Sequence, residues 1–139
     1  TVNVTKCLQV YGQGVYGKGI GQFLNDMSML DVDVVPNPEK EGRMQVLPMM
    51  GWFAGLQYNI CPKVFLTSTY GQSRLYSHNG YPATPSGQYR YGQYLNATLF
   101  WNITSDLQVG AEYLRGWRTD FNSDKRHANR MNLAVRYSF

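Results

Sequence analysis

Charge is scarce in this chain. Only 16% of its 139 residues are Asp, Glu, Lys or Arg, against about a quarter in an ordinary soluble domain. Long apolar runs are missing as well, and no stretch approaches the ~18 residues that a membrane-spanning helix requires. Two cysteines, Cys7 and Cys61, are too few for a disulfide scaffold and belong to no metal-type cluster. The two histidines, His78 and His127, form no metal-spaced pair, and no Gly-x-Ser-x-Gly elbow is present. A net charge of +4, thinly dispersed, argues against nucleic acid as a partner. The amino end, Thr1-Val2-Asn3-Val4, lacks the basic start and apolar run of a signal peptide, so a mature product or a fragment is expected. The length suits about one domain.

Tyrosine and glycine fill the gap: 11 Tyr and 14 Gly, with aromatics at 14% and a mean hydropathy of -0.39. This mixture disfavours helices and suits β-structure. Six segments alternate with period two, each bounded by turn residues: about Lys6 to Gly17, Met44 to Asn59, Val64 to Tyr76, Tyr89 to Ile103, Leu107 to Trp117 and Ala128 to Phe139. At about 11 to 16 residues they exceed the usual soluble strand of about 5–6 and match the ~9–11 needed to cross a bilayer at a tilt.

The faces of these segments separate by character. In the fourth, Tyr89, Tyr91, Leu95, Ala97, Leu99, Trp101 and Ile103 oppose Arg90, Tyr94, Asn96, Thr98 and Asn102, with Gln93 and Phe100 out of pattern. In the fifth, Leu107, Val109, Ala111 and Tyr113 oppose Gln108, Gly110 and Glu112; in the second, Met50, Trp52, Ala54, Leu56 and Tyr58 oppose Gly51, Gly55, Gln57 and Asn59. The first and third segments leave the outward face open. The last segment places Met131, Leu133, Val135, Tyr137 and Phe139 on one side, and Asn132, Arg136 and Ser138 on the other. Apolar residues outside, polar residues inside and a closing Phe are expected of an outer-membrane barrel strand. The predicted fold is therefore all-β, an antiparallel up-and-down transmembrane β-barrel, with residues 1–139 forming its carboxy-terminal strands as a single domain or part of one. Leu95, Leu99, Trp101, Val109, Leu133, Val135 and Phe139 are expected to face lipid.

Connector lengths alternate in the same sense. Ile60-Cys61-Pro62-Lys63 and Thr104-Ser105-Asp106 are tight, whereas Lys18 to Arg43, Ser77 to Gln88 and Arg118 to His127 are long. Short periplasmic turns and long external loops would produce this. The first long loop, Asn25 to Asp33 and on through Pro36 to Glu41, is acidic. Its Phe23, Leu24, Met27, Met29 and Leu30 suggest that it folds inward or packs on a neighbouring subunit. Asp31 and Asp33 lack the Gly and distal Glu of a calcium loop. Tyr-Gly-Gln recurs at Tyr11, Tyr70 and Tyr91 without a fixed period, as aromatic girdles or ordinary sheet enrichment would both give.

With those features in place, the sequence resembles the carboxy-terminal part of a Gram-negative outer-membrane porin, in particular the DcaP-like porins of Bacteroidetes-type bacteria. The resemblance rests on Tyr16-Gly17-Lys18-Gly19-Ile20-Gly21 and Gly51-Trp52-Phe53-Ala54-Gly55-Leu56-Gln57-Tyr58. It extends to Leu107-Gln108-Val109-Gly110-Ala111-Glu112-Tyr113-Leu114 with Arg118, and to His127-Ala128-Asn129-Arg130-Met131 running into the final strand. It implies a homotrimer of many-stranded barrels in the bacterial outer membrane, passing small hydrophilic, often anionic, solutes. Six strands are too few for a water-filled pore, since even eight fill their own interior. The chain is therefore expected to be a fragment of a longer barrel, in preference to one of several copies that pool strands.

On this reading Arg90, Arg130 and Arg136 line the channel, with Glu112 as a partner; selecting anions or bracing the wall are both open to them. Arg115, Arg118, Lys125 and Arg126 are placed at the outer rim, toward lipopolysaccharide phosphates or solvent. Cys7 and Cys61 fall near the same end of a hairpin, close enough for a bridge. No catalytic residue, metal or cofactor is expected; His127 with Asn129 and Ser123 is the strongest hydrolase-like set and lacks a motif. The competing class is a soluble, lipocalin-like barrel that binds small molecules, with its apolar face turned inward.

Overall fold

The computed structural model describes residues 1–139. A two-residue strand, β1 (Val2–Asn3), precedes β2 (Leu8–Lys18). A small hairpin follows, β3 (Val34–Pro36) with β4 (Met44–Val46). Then come four long strands and a fifth: β5 (Pro48–Cys61), β6 (Val64–Leu75), β7 (Tyr89–Asn102), β8 (Leu107–Asp120) and β9 (Lys125–Tyr137). The main sheet has the order β1-β2-β5-β6-β7-β8-β9, and every pairing is antiparallel. Each long strand thus lies beside the next in sequence, the simplest up-and-down arrangement. The sheet is not closed: β9 has a partner on one side alone, and the far side of β2 carries just the β1 stub. Only 18 of the 139 residues are buried, which one uncovered sheet gives and a two-layer domain would not.

All six predicted strands are present, and register settles the two undecided faces. Leu8, Val10 and Tyr16 of β2 share a side with Met50, Trp52, Leu56 and Tyr58 of β5, and with Val64, Leu66 and Tyr70 of β6. The same side holds Leu95, Leu99 and Trp101 of β7, Val109 and Tyr113 of β8, and Leu133 and Val135 of β9. No second layer covers these side chains. Leu99 and Trp101 sit in the middle of the sheet and are still 46% and 50% exposed.

Four expectations are corrected. The second segment does not begin at Met44: Met44–Val46 pairs with Val34–Pro36 off the sheet, and β5 starts at Pro48, whose missing N–H is tolerated at a strand's first residue. The connector from Arg118 to His127 is mostly strand, because β8 runs to Asp120 and β9 begins at Lys125, leaving the turn Phe121–Asp124. Alternation does continue there, but between polar residues, so apolar periodicity could not reveal it. Tyr89 does not share a face with Leu95. A bulge between Tyr89 and Tyr91 turns it to the opposite side, where it is 5% exposed. Cys7 opposes Asn59, not Cys61, and its carbonyl accepts the Asn59 N–H at 2.8 Å; both thiols are free.

The buried apolar cluster belongs to the long β2–β5 connection. Leu24, Met27, Val32, Val35 and Leu47 pack with Met49, Leu75 and Tyr89 of the strands. The loop therefore folds onto the polar face of the sheet, as one of its two expected placements has it.

Candidate channel-lining surface

The face beneath that loop is built in rows fixed by strand register. One row runs Gln9, Gln57, Thr67, Thr98, Glu112, Asn132; the next runs Tyr11, Gly55, Thr69, Asn96, Leu114, Arg130. Uncharged hydrogen-bonding groups predominate, a composition suited to water. Where tyrosines occur they lie flat against glycines of the adjacent strand. The Tyr94 ring occupies the space a side chain at Gly71 would need, and Tyr11 does the same at Gly55 while its hydroxyl meets Thr69 Oγ1 at 2.9 Å.

Glu112 is held by neutral donors from both neighbouring strands. Asn132 Nδ2 donates to Oε1 at 2.7 Å, while Thr98 Oγ1 and Asn96 Nδ2 donate to Oε2 at 3.1 and 3.2 Å. Arg130 does not pair with it directly; its Nε donates to Asn132 Oδ1 at 2.8 Å, so the two charges are linked through an amide. The expected arginine partner of Glu112 is thus replaced by Asn132, which sits opposite it in register.

Arginines on this face follow β9. Arg126, Arg130 and Arg136 all point inward, opposite Arg118, Leu114 and Gln108 of β8. Spaced by four and six residues, they form a ladder rather than a ring, about 13 and 20 Å apart at the usual strand rise. Arg118 is committed elsewhere. Its Nε meets Asp120 at 2.7 Å, its Nη2 donates to the Gly87 carbonyl at 3.2 Å, and its guanidinium lies 5.5 Å from the Tyr89 ring. Arg90 is not in the ladder. It falls at the β7 bulge, no β8 residue opposes it, and its guanidinium lies 6.0 Å from the ring of outward-facing Tyr91. The four rim cations also divide: Arg118 and Arg126 face inward, Arg115 and Lys125 outward.

The inward loop is latched by polar contacts that composition did not reveal. Ser73 Oγ donates to Asp26 Oδ2 at 2.6 Å and lies 2.7 Å from the Tyr89 hydroxyl. Leu24 fits against Gly51, where any side chain would collide with it. Asp33 accepts the Gly21 N–H, giving that carboxylate a structural task. Between loop and wall remains a recess of about 280 Å³ bounded by Gln13, Phe23, Asp26, Phe53, Ser73 and Tyr94. Nothing local in Tyr89-Arg90-Tyr91 signals the bulge, because a tyrosine on either side of Arg90 is what unbroken alternation also gives.

On the opposite face, Leu95, Leu99, Trp101, Leu133 and Val135 are exposed and Val109 is half-buried among its neighbours. Phe139 lies beyond the last paired residue and is fully exposed. His127 opposes Trp117, Asn129 accepts the Tyr113 hydroxyl at 2.9 Å, and Ser123 lies in the β8–β9 turn.

No model of a known protein family matches the sequence, and no curated protein matches it. Among solved structures, the chain is similar to the crystal structure of the outer membrane channel DcaP of Acinetobacter baumannii. The TM-score is 0.79 over 99% of this chain, at 18% sequence identity. The chain spans 38% of that channel's length. This likeness is one of fold, the antiparallel up-and-down sheet shared with part of that channel; the narrower Bacteroidetes-type expectation gains nothing from it.

Proposed function

We propose that this chain is part of the wall of an outer-membrane β-barrel channel that lets small hydrophilic solutes diffuse passively. The observation that carries this reading is the division of one uncovered sheet into two faces. Leu95, Leu99, Trp101, Leu133 and Val135 stand outward with nothing packed on them, while Thr67, Thr98, Glu112 and Asn132 line the other side. In water such an apolar face would be costly; against acyl chains it is the stable choice. The likeness to an outer membrane channel supports the same location, with the tight β5–β6 and β7–β8 turns periplasmic and the long connections outside.

The unpaired edges of β2 and β9 call for further strands. A backbone group left unpaired in hydrocarbon costs several kcal/mol, so these edges are expected to meet the rest of a larger barrel. The Asp26-latched loop would narrow the lumen. Arg126, Arg130 and Arg136 outnumber Glu112 on the open wall, which favours anionic solutes without a cofactor or catalysis. A lipocalin-like carrier would enclose Leu99 and Trp101 in a dry interior, opposite to their exposed positions. The homotrimer implied by the porin resemblance is checked by the native mass of the detergent-solubilised protein.

The test is extraction followed by conductance. The protein should leave membranes only with detergent and should give ohmic steps in a planar bilayer, with a reversal potential on the anion side. Recovery in the soluble fraction without refolding would overturn the proposal.

A further inference from the structure

One glycine of the inward face is left uncovered. At Gly51, Gly55, Gly71, Gly92 and Gly110 a neighbouring side chain comes within 3.0 Å of where a β-carbon would stand, as Tyr94 does at Gly71. At Gly116 the nearest atom is the Gln93 carbonyl oxygen, at 3.9 Å. The other glycines seat a side chain; Gly116 is the floor of a bay.

Register sets what surrounds that floor. Gly116 stands between Tyr94 and Ala128, and the adjacent row toward the long loops is Gly92, Arg118, Arg126. Leu114, two residues along β8, closes the other side. The recess so formed, of about 470 Å³, is bounded by Asp26, Tyr94, Leu114, Gly116, Arg126 and Ala128.

Opposite charges flank the bay without meeting. The Asp26 carboxylate, which accepts from Ser73 Oγ, lies over Gly92, its Oδ2 2.9 Å from the β-carbon position there. Arg118, next in that row, is neutralised by Asp120 in the chain's single ion pair. Asp26 and Arg126 are therefore one carboxylate and one guanidinium without an ionic partner, and both are exposed. Two inter-strand steps root Arg126 about 10 Å from the Asp26 carboxylate. A hydrogen bond of about 2.8 Å at either end, with about 3 Å from ammonium nitrogen to carboxylate oxygen in an α-amino acid, matches that interval. An anion would meet Asp26 and a cation would meet Arg126, so the pair selects a molecule that carries both charges. Leu114, Ala128 and the Tyr94 ring offer apolar surface to whatever lies over Gly116.

We propose that this bay is a binding station for zwitterionic α-amino acids with apolar side chains. Asp26 accepts from the ammonium group, Arg126 donates to the carboxylate, and the open space over Gly116 takes the side chain. The proposal rests on the channel reading above and deepens it by naming a class of solute.

The test records current in planar bilayers through the protein purified from membranes in mild detergent, at neutral pH. The probes are leucine, which carries both charges, leucinol, which keeps only the cation, and N-acetyl-leucine, which keeps only the anion. Leucine should block the current at about tenfold lower concentration than either analogue. Gly116→Leu fills the bay where nothing obstructs a side chain, so strand content by circular dichroism should hold while leucine block is lost. Arg126→Gln should weaken leucine block about tenfold and leave leucinol as it was, and Arg126→Lys should restore part of the loss. Asp26→Asn should weaken leucine block to a similar degree. Ser73→Ala, which frees the same loop but keeps the carboxylate, should weaken it less. Equal block by the three probes, leucine block unchanged in Gly116→Leu or Arg126→Gln, or Ser73→Ala as damaging as Asp26→Asn would overturn the site. Any of these results with ohmic conductance intact removes the bay alone, whereas absence of conductance removes the channel reading itself.

Discussion

The β2–β5–β6 side of the molecule and the β8–β9 side are built from the same alternating strands but treat their inward faces differently. On the first, Met49 and Leu75 point inward and are fully buried, because the loop carrying Leu24, Met27, Val32 and Val35 covers them. On the second no apolar cluster covers the inward face, which carries Glu112, Arg126, Arg130, Asn132 and Arg136 beside Gly110, Leu114, Gly116, Ala128 and Ala134. The difference shows that lying on the inward side of the sheet is not synonymous with being polar. What decides the residue type is whether a loop or water lies above it. One part of this face is packed beneath a loop; the other is open and carries the charge.

Exchanging the environments of the two faces should have the largest effect. Leu99→Arg puts a cation among outward apolar rows and should destabilise the barrel by about 2–4 kcal/mol, while Thr67→Arg, inward at similar height, should cost little. Urea unfolding in lipid vesicles compares them, and equal losses would mean that the faces are misassigned. Next comes the packed wall. Gly51→Leu fills the space now taken by Leu24, and overpacking of this kind costs about 1–3 kcal/mol. The loop should lift away, seen as faster proteolysis between Asn25 and Asp33 and larger single-channel conductance; a resistant loop would show that Leu24 is not its anchor. Asp26→Asn weakens the charge-assisted bond from Ser73 and should loosen the loop in the same direction by about 1–2 kcal/mol.

The wet wall sharpens the contrast with subtler readouts. Arg130→Gln combined with Arg136→Gln should move the zero-current potential toward cations, leaving conductance within about twofold; an unmoved potential would assign the ladder a bracing role. Arg90→Gln, at the bulge and off the ladder, should leave selectivity where it is. A shift as large as that of the double variant would place Arg90 in the lumen after all.

Much of this architecture is readable from the chain because a strand's side chains alternate strictly, and a face against lipid must be apolar at every second residue. Leu95, Leu99 and Trp101, or Leu133 and Val135, announce both strand and face by themselves. The same rule explains the failures. Beyond the apolar band, from Arg118 to His127, outward residues no longer need to be apolar, so the strand extensions carried no periodic signal. In β6, Phe65 and the loop-covered Leu75 are apolar on the inward side, which blurs its pattern. The β3–β4 hairpin imitates strand continuity, because period two is the same whichever strand becomes the partner.

The sequence on its own determined the strand class, the presence of six long strands and, in four of them, the residues that share an apolar face, since these follow from local chemistry repeated every second residue. Only tertiary structure decided which strand edge each segment meets, where the bulge turns Tyr89 inward, and that Asp26 finds Ser73 across 47 positions of chain. Those outcomes depend on register and on a loop's return path, contacts between segments distant in sequence that no local pattern encodes.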